Sequence, residues 1–420
     1  MSTKKRLITN FLSLASVQGL NFILPLITLP YLLLVLGPAK FGLISFAQAL
    51  IQYFMIFTDY GFNLVATKEI ALNRENNKKV SVIFSSVMVV KIVLLLLCLL
   101  VLFILVQFVP KFQSDGIIYY YTFGMVIGNV LFPVWFFQGM EHMKVISILN
   151  ILSKTIFTIS IFVFVKDSSQ FLYVPIFNSL GYMMIGLIGF YMVLFRYKIR
   201  FAWPSKAEIL FQLKEGRDIF ISTIMTSLYT TSNTFILGFF ASNTVVGYFS
   251  SAERVIRALT SVVAPLVQTV YPFLSKALHE SQQRGLWILN RLFYLVTFSM
   301  GTLSIIIGLF ANDLVNLFLG PEYAASVPLM QILSPLPLII GWANIFSTLT
   351  MVTFDYKKQL SFVYIAASTL SVLLMFILIP TFREYGTAWI ALITEIVATL
   401  LMAVFLWRKG IKVWKWQKQT

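Results

Sequence analysis

The sequence predicts an all-α membrane protein. The expected fold has twelve transmembrane helices in two six-helix bundles around a central cavity, with both termini cytoplasmic. Three observations predict it: composition, the recurrence of apolar runs, and the placement of basic charge. Of 420 residues, 59% are hydrophobic and only 11% are charged, against about 25% charged in a soluble domain. No stretch has the makeup of a soluble domain or a disordered tail.

Apolar runs long enough to cross a bilayer core of about 30 Å recur along the chain. They lie near 8–36, 41–64, 80–109, 117–138, 145–165, 170–194, 219–240, 246–273, 288–311, 326–352, 360–380 and 386–407. The first follows Lys4-Lys5-Arg6, is too long for a signal peptide and runs straight into a second, so it reads as a retained helix. Cys98 is the single cysteine and lies inside a span, which excludes an internal disulfide. His142 and His279 are far apart, and no ligand spacing for a metal or glycine loop for a nucleotide is present. No cofactor is expected.

With the N-terminus inside, the cytoplasmic segments hold 24 Lys and Arg and the outer loops hold four: Lys40, Lys111, Lys166 and Arg383. Basic residues concentrate on the cytoplasmic side of membrane proteins. The net charge of +16 therefore reports topology and contact with anionic lipid, not nucleic acid.

The one long polar connection, 195–218, is expected to be a cytoplasmic linker loop between a bundle at 1–194 and a second at 219–420 with a basic tail. "FGLISFAQAL" from Phe41 and "VGYFSSAERV" from Val246 share Gly42/Gly247 and Ala47/Ala252 at a constant offset of 205. Six spans between equivalents give a parallel repeat. Two such lobes could expose a central site to each side in turn, and Pro25 and Pro30 are candidate bends in the first helix.

Seven charges fall within spans: Lys91, Lys154, Arg254, Arg257, Asp59, Glu253 and Glu395. Lys91, twelve residues past Lys79, and Arg254, eleven past Asn243, lie about 18 Å and 16 Å in at 1.5 Å per residue. A charge at that depth costs about 2.5–3.5 kcal/mol unless it faces a wet cavity or a partner. Glu253 and Arg257 are spaced i,i+4 for a helical ion pair, leaving Arg254 as the candidate for an anion. A guanidinium fork matches phosphate oxygens in two-point contact. Arg254, Arg257, Lys154 and Lys91 are thus the candidate substrate-binding residues, with static ion pairing as the alternative for each. Asp59, Glu253 and Glu395 are candidates for coupling to H+ or Na+, or for structural pairing. Thr230, Thr231 and Asn233 of "SLYTTSNT" are candidate polar lining groups, or bonds between helices.

"PLITLPYLLLVLGPAKFGLISFAQALIQYF", "DYGFNLVATKEIA", "PVWFFQGMEHMKVISILNILSKTIF", "YTTSNTFILG", "VGYFSSAERVIRAL" and "LIPTFREYGTAWIALITE" together resemble O-antigen flippases of the Wzx type, over about residues 7–407. These belong to the polysaccharide transport family of the multidrug/oligosaccharidyl-lipid/polysaccharide exporter superfamily. The resemblance implies two six-helix bundles in the bacterial inner membrane and a cationic cavity. It implies translocation of undecaprenyl-pyrophosphate-linked repeat units to the periplasmic leaflet, beside partners such as the polymerase. It departs at Leu34, where relatives often carry arginine. Two alternatives stay open: a multidrug exporter of the same superfamily, for which an acidic cavity would be expected, and a membrane glycosyltransferase or polymerase of the same pathway, which would usually need a large outer loop or an acidic centre.

Overall fold

The computed structural model describes residues 3–415, and every described element is helical. The chain divides into two compact units. The first takes residues up to Leu36 and Leu43–Ile224, and the second takes Gly37–Gly42 and the residues from Met225 onward. In chain order the helices begin α1 (Thr3–Asp59), α2 (Phe62–Leu72), α3 (Asn77–Phe108), α4 (Pro110–Gln113), α5 (Gly116–Leu131), α6 (Val134–Gly139), α7 (Met143–Phe164), α8 (Tyr173–Tyr191) and α9 (Lys206–Thr230). They continue with α10 (Ser232–Phe240), α11 (Asn243–Thr260), α12 (Val263–Glu280), α13 (Gln282–Leu309), α14 (Ala311–Phe318), α15 (Val327–Leu333), α16 (Leu336–Asn344) and α17 (Lys357–Arg408).

Seven helices among the described residues are long and apolar enough to cross a membrane, and a pair bent by 43°, Pro321–Leu333 with Leu336–Val352, makes an eighth if it is one span. Two of the seven, Ile27–Leu72 and Lys357–Arg408, run 46 and 52 residues, where about 20 suffice for one crossing. Each is interrupted: α1 at Gly37 (φ 66°, ψ 171°) and α17 at Arg383 (φ 46°, ψ −122°). The helical backbone of α1 runs through both Pro25 and Pro30, so its break falls at the glycine and not at the prolines. On α3, Leu96, Leu97, Leu100 and Phe103 are exposed, as lipid-facing side chains are.

The core of the first unit gathers Phe84, Trp135, Phe136, Phe137 and Ile185. Close backbone approach holds α5 to α8: a Cβ on Gly128 would stand 2.3 Å from the Tyr182 carbonyl carbon, and one on Gly186 would stand 2.6 Å from the Gly128 carbonyl oxygen. Small residues allow such helix contacts where apolar burial gives no net drive in lipid.

Residues 206–218, expected as loop, form the first half of α9. The reason is local: Ile209 and Leu213, spaced i,i+4, pack against the core of the first unit. Between them Gln212 Nε2 donates to Glu69 Oε2 at 2.6 Å, and Phe220 stacks on Tyr60 with centroids 4.6 Å apart.

In the second unit Phe293 stacks on Trp342 and on Phe346, each at 5.9 Å. Asn290 Nδ2 donates to the carbonyls of Val413 (2.8 Å) and Lys415 (3.0 Å), tying down the start of the basic tail.

Candidate functional site

The charged residues of the apolar spans assemble into different arrangements in the two units. In the first, α1 ends at Asp59 because Tyr60 (φ 43°) and Gly61 (φ 82°) leave the helical region. That break presents the Asp59 carboxylate to α3. Lys91 Nζ donates to Asp59 Oδ1 at 2.9 Å, and Asn129 Nδ2 from α5 donates to the same oxygen at 3.0 Å. Lys91 is 1% exposed. A depth that favours a partner or a wet cavity has here been met by a partner. Asn129 was missed in the sequence reading. Its signal was a lone amide in "MVIGNVLF", an otherwise apolar run. Lys154 is half-buried on α7, beside Ser153, whose hydroxyl lies 2.6 Å from where a Cβ on Gly181 would sit.

In the second unit the expected i,i+4 pair forms. Arg257 Nε and Nη2 both donate to Glu253 Oε1, at 3.0 and 2.8 Å. Thr234 Oγ1 reaches the other carboxylate oxygen of Glu253 at 3.5 Å. The Glu253 side chain is 11% exposed, whereas that of Arg257 is 45% exposed. Glu395, half-buried on α17, lies within electrostatic reach of Arg257. One arginine therefore has two acids about it, and its side chain is still well exposed. Arg254, one position after Glu253, sets its guanidinium 5.0 Å from the centroid of the Phe41 ring. A weakly hydrated, planar cation suits that stack.

Thr231 is half-buried at the junction of α9 and α10, and the side chain of Thr230 lies outside the described residues. Asn233 is 1% exposed, and neither of its amide atoms has a hydrogen-bond partner among the described residues. Sequence reading missed Thr234, though it sits in the same polar run.

The Gly42/Gly247 repeat has a structural meaning. A Cβ on Gly42 would lie 1.8 Å from the Asn243 carbonyl oxygen, and one on Gly247 would lie 1.9 Å from that of Pro38. Residues 38 and 243 carry the same offset of 205 as 42 and 247. The contact is thus reciprocal: each glycine meets the other segment's equivalent carbonyl, as a local two-fold relation requires. It accompanies the approach of Phe41, three residues beyond Pro38, to Arg254, seven beyond Gly247.

The polysaccharide biosynthesis protein family model matches residues 7–278. A protein of Escherichia coli strain K12 named as an O-antigen transporter is 36% identical over 407 residues, covering 97% of this chain and 98% of the relative. One of the same name from Shigella dysenteriae is 28% identical over 398 residues, covering 94% and 98%. Among solved structures, the lipid II flippase MurJ in an inward closed conformation aligns with TM-score 0.76 at 14% identity, covering 94% of this chain and 88% of that one. An inward-facing multidrug resistance MATE transporter of the MOP superfamily aligns with TM-score 0.67 at 14% identity, covering 92% and 94%. The likeness to these two structures is one of fold. The match across most of the chain to the family and to its relatives shows more: this chain belongs to the polysaccharide biosynthesis protein family of multi-pass membrane proteins.

Proposed function

We propose that this chain is a flippase that moves undecaprenyl-pyrophosphate-linked O-antigen repeat units, or those of a related surface polysaccharide, from the cytoplasmic to the periplasmic leaflet of the bacterial inner membrane. The observation that carries this reading is the 36% identity, across 97% of the chain, to a protein named as an O-antigen transporter. The MurJ-like and MATE-like fold agrees with it. Twelve crossings with both ends inside remain the proposed topology. Its outer turns would include the breaks at Gly37 and Arg383, and its central crossings would be α9 with α10 and α11 with α12, which polar residues and breaks make less apolar.

In this reading alternating access exposes a cationic site to each leaflet in turn. Arg254 and Arg257 engage the pyrophosphate or an acidic sugar, and Lys154 supplies further positive charge. Lys91 is tied to Asp59 and holds helices together. That tie also leaves Glu395 as the better coupling acid for H+ or Na+. The sign of the site argues against a cationic-drug exporter, since the two arginines meet any ligand with donors and positive charge.

The test is reconstitution of the purified chain with a lipid-linked oligosaccharide in proteoliposomes, alongside surface polysaccharide in a deletion strain. Movement of the lipid-linked sugar, and accumulation of single lipid-linked repeat units on the inner leaflet of the deletion strain, are the expected results. Absence of both refutes the flippase reading. Proton or sodium gradients imposed on the same vesicles test coupling: Glu395→Gln should remove the response to one of them.

A further inference from the structure

A cavity in the first unit is lined by none of the seven span charges. Its volume is about 530 Å³, and α2, α3 and α9 wall it. From α3 come Lys79, Val82, Ile83 and Ser86, at i, i+3, i+4 and i+7, so one helix face leads from the first turn of α3 into its apolar run. Lys78 lies beside them in that first turn, where the amide of Lys79 is already capped by the Asn76 side chain at 3.1 Å. From α9 come Phe211 and Gln212, and from α2 comes Glu69.

Gln212 is the informative residue. It is 3% exposed. Its Nε2 donates to Glu69 Oε2 at 2.6 Å, which fixes the amide orientation because a carboxylate only accepts. Its carbonyl Oε1 is then left buried with no donor among the described residues. A buried acceptor without a donor costs about 1–3 kcal/mol, and an N–H-bearing ligand in the cavity would remove that cost. The wall therefore offers the Glu69 carboxylate and the Gln212 amide carbonyl for an ammonium group, two lysines at a helix N-terminus for a phosphate, and Val82, Ile83 and Phe211 for methylenes; its second carboxylate, Glu208, already accepts from the Ser205 amide at 2.6 Å. A metal ion would find too few acids, and a simple anion would leave Gln212 unsatisfied.

We propose that this cavity binds a glycerophospholipid with a primary amine headgroup, phosphatidylethanolamine, from the cytoplasmic leaflet. The leaflet rests on the orientation proposed above; the headgroup chemistry does not. The ammonium sits between Glu69 and Gln212 Oε1, the phosphate meets Lys78 and Lys79, and the glycerol end of the acyl chains lies along Val82, Ile83 and Phe211. A bound lipid would pin α9 to α2 and α3, so the fold would depend on bilayer composition.

The experiment uses the full-length chain in detergent, with thermal stability and retained lipid (by native mass spectrometry) read after adding phosphatidylethanolamine, phosphatidylcholine or phosphatidylglycerol of matched acyl chains. Phosphatidylethanolamine should be retained and should raise the melting temperature. Phosphatidylcholine, which has no N–H donors, should do neither. Lys78→Gln with Lys79→Gln, at exposed positions, should weaken retention on the order of tenfold without loss of folded protein. Gln212→Met should abolish the preference for the primary amine over the quaternary one. Equal retention of phosphatidylcholine, equal retention of phosphatidylglycerol, or an unchanged lysine double variant each overturn the proposal. Labelling of Ser205→Cys by an impermeant thiol reagent from outside intact cells would overturn the leaflet assignment while leaving the detergent result standing, so a failure of orientation and a failure of headgroup recognition can be told apart.

Discussion

Lys91 in the first unit and Arg257 in the second begin as the same sequence signal, a cation deep in an apolar run, and end in opposite states. Lys91 is 1% exposed, and both it and Asn129 donate to one oxygen of Asp59. Arg257 also holds an acid, yet 45% of its side chain stays exposed, and its neighbour Arg254 lies over an aromatic face. Depth alone fixes that a charge needs company. In the proposed reading, exposure separates a fixed partner from a place for a ligand that arrives and leaves. The difference follows residue type as well. A lysine is a compact point charge that one carboxylate can pair, whereas an arginine spreads its charge over a planar fork of five N–H donors.

The sharpest way to break this comparison is to remove one partner in each unit. Lys91→Ala should strand Asp59 in an apolar setting and cost about 3–5 kcal/mol, read as a large fall in membrane-inserted, folded protein. Lys91→Met with Asp59→Leu should recover most of it, because an apolar pair of similar volume is often neutral or better. Normal amounts of Lys91→Ala protein that no longer transports would move Lys91 into the substrate site and collapse the distinction.

The glycine crossing predicts the next largest effect. Gly247→Ala and Gly42→Ala should each cost about 1–3 kcal/mol as overpacking, because the new methyl group meets a backbone carbonyl at 1.9 or 1.8 Å. Their equal severity would sharpen the two-fold reading. Gly301→Ala, whose nearest neighbour would be 3.9 Å away, is the control and should be silent. Melting temperatures in detergent check all three, and a tolerated Gly247→Ala would refute the close crossing.

Arg254→Ala should lower transport by roughly 10- to 100-fold, the loss of a charge-assisted contact of about 1.5–3 kcal/mol, with protein levels near normal. Arg254→Lys keeps charge without the fork and should fall between. Glu253→Ala should act instead on the amount of folded protein, and modestly, since Arg257 keeps Glu395 within electrostatic reach. Surface polysaccharide beside inserted protein separates the two. Normal polysaccharide with Arg254→Ala would make that arginine a structural charge.

How much of this the sequence disclosed depends on whether the signal was local. The apolar runs, the Glu253–Arg257 spacing and the Gly42/Gly247 offset are visible within one helix or one repeat. The Asp59–Lys91–Asn129 knot joins three helices far apart in sequence, so each member was visible only as an oddity in its own run, and Asn129, being uncharged, was passed over. Residues 206–218 misled for the opposite reason. Their charges read as a polar connection, but Ile209, Gln212 and Leu213 fold it as a packed face of α9. The role of Gln212 depends on Glu69, 143 residues earlier.

The smallest effect lies outside the spans and gives the comparison its floor. Arg74 Nη2 meets Glu141 Oε1 at 2.7 Å with side chains 36% and 72% exposed. That hydrogen bond, with the charge of Arg74 behind it, holds the Glu141 carboxyl below the ordinary carboxylate range. A depressed carboxylate stabilises the fold above its unfolded pKa, near 4.3 for glutamate, and that contribution fades as pH falls through the lower, folded value. Glu141→Gln should therefore leave the melting temperature at neutral pH almost unchanged, because an exposed pair in water is weak and screened by salt. It should also flatten slightly the acid limb of stability measured from pH 6 to pH 3 at low ionic strength. The same scan on Asp59→Asn should show a loss already at neutral pH, because it takes the carboxylate away from the buried Lys91. If the two variants behaved alike, burial would not be what separates a structural ion pair from a surface one in this protein.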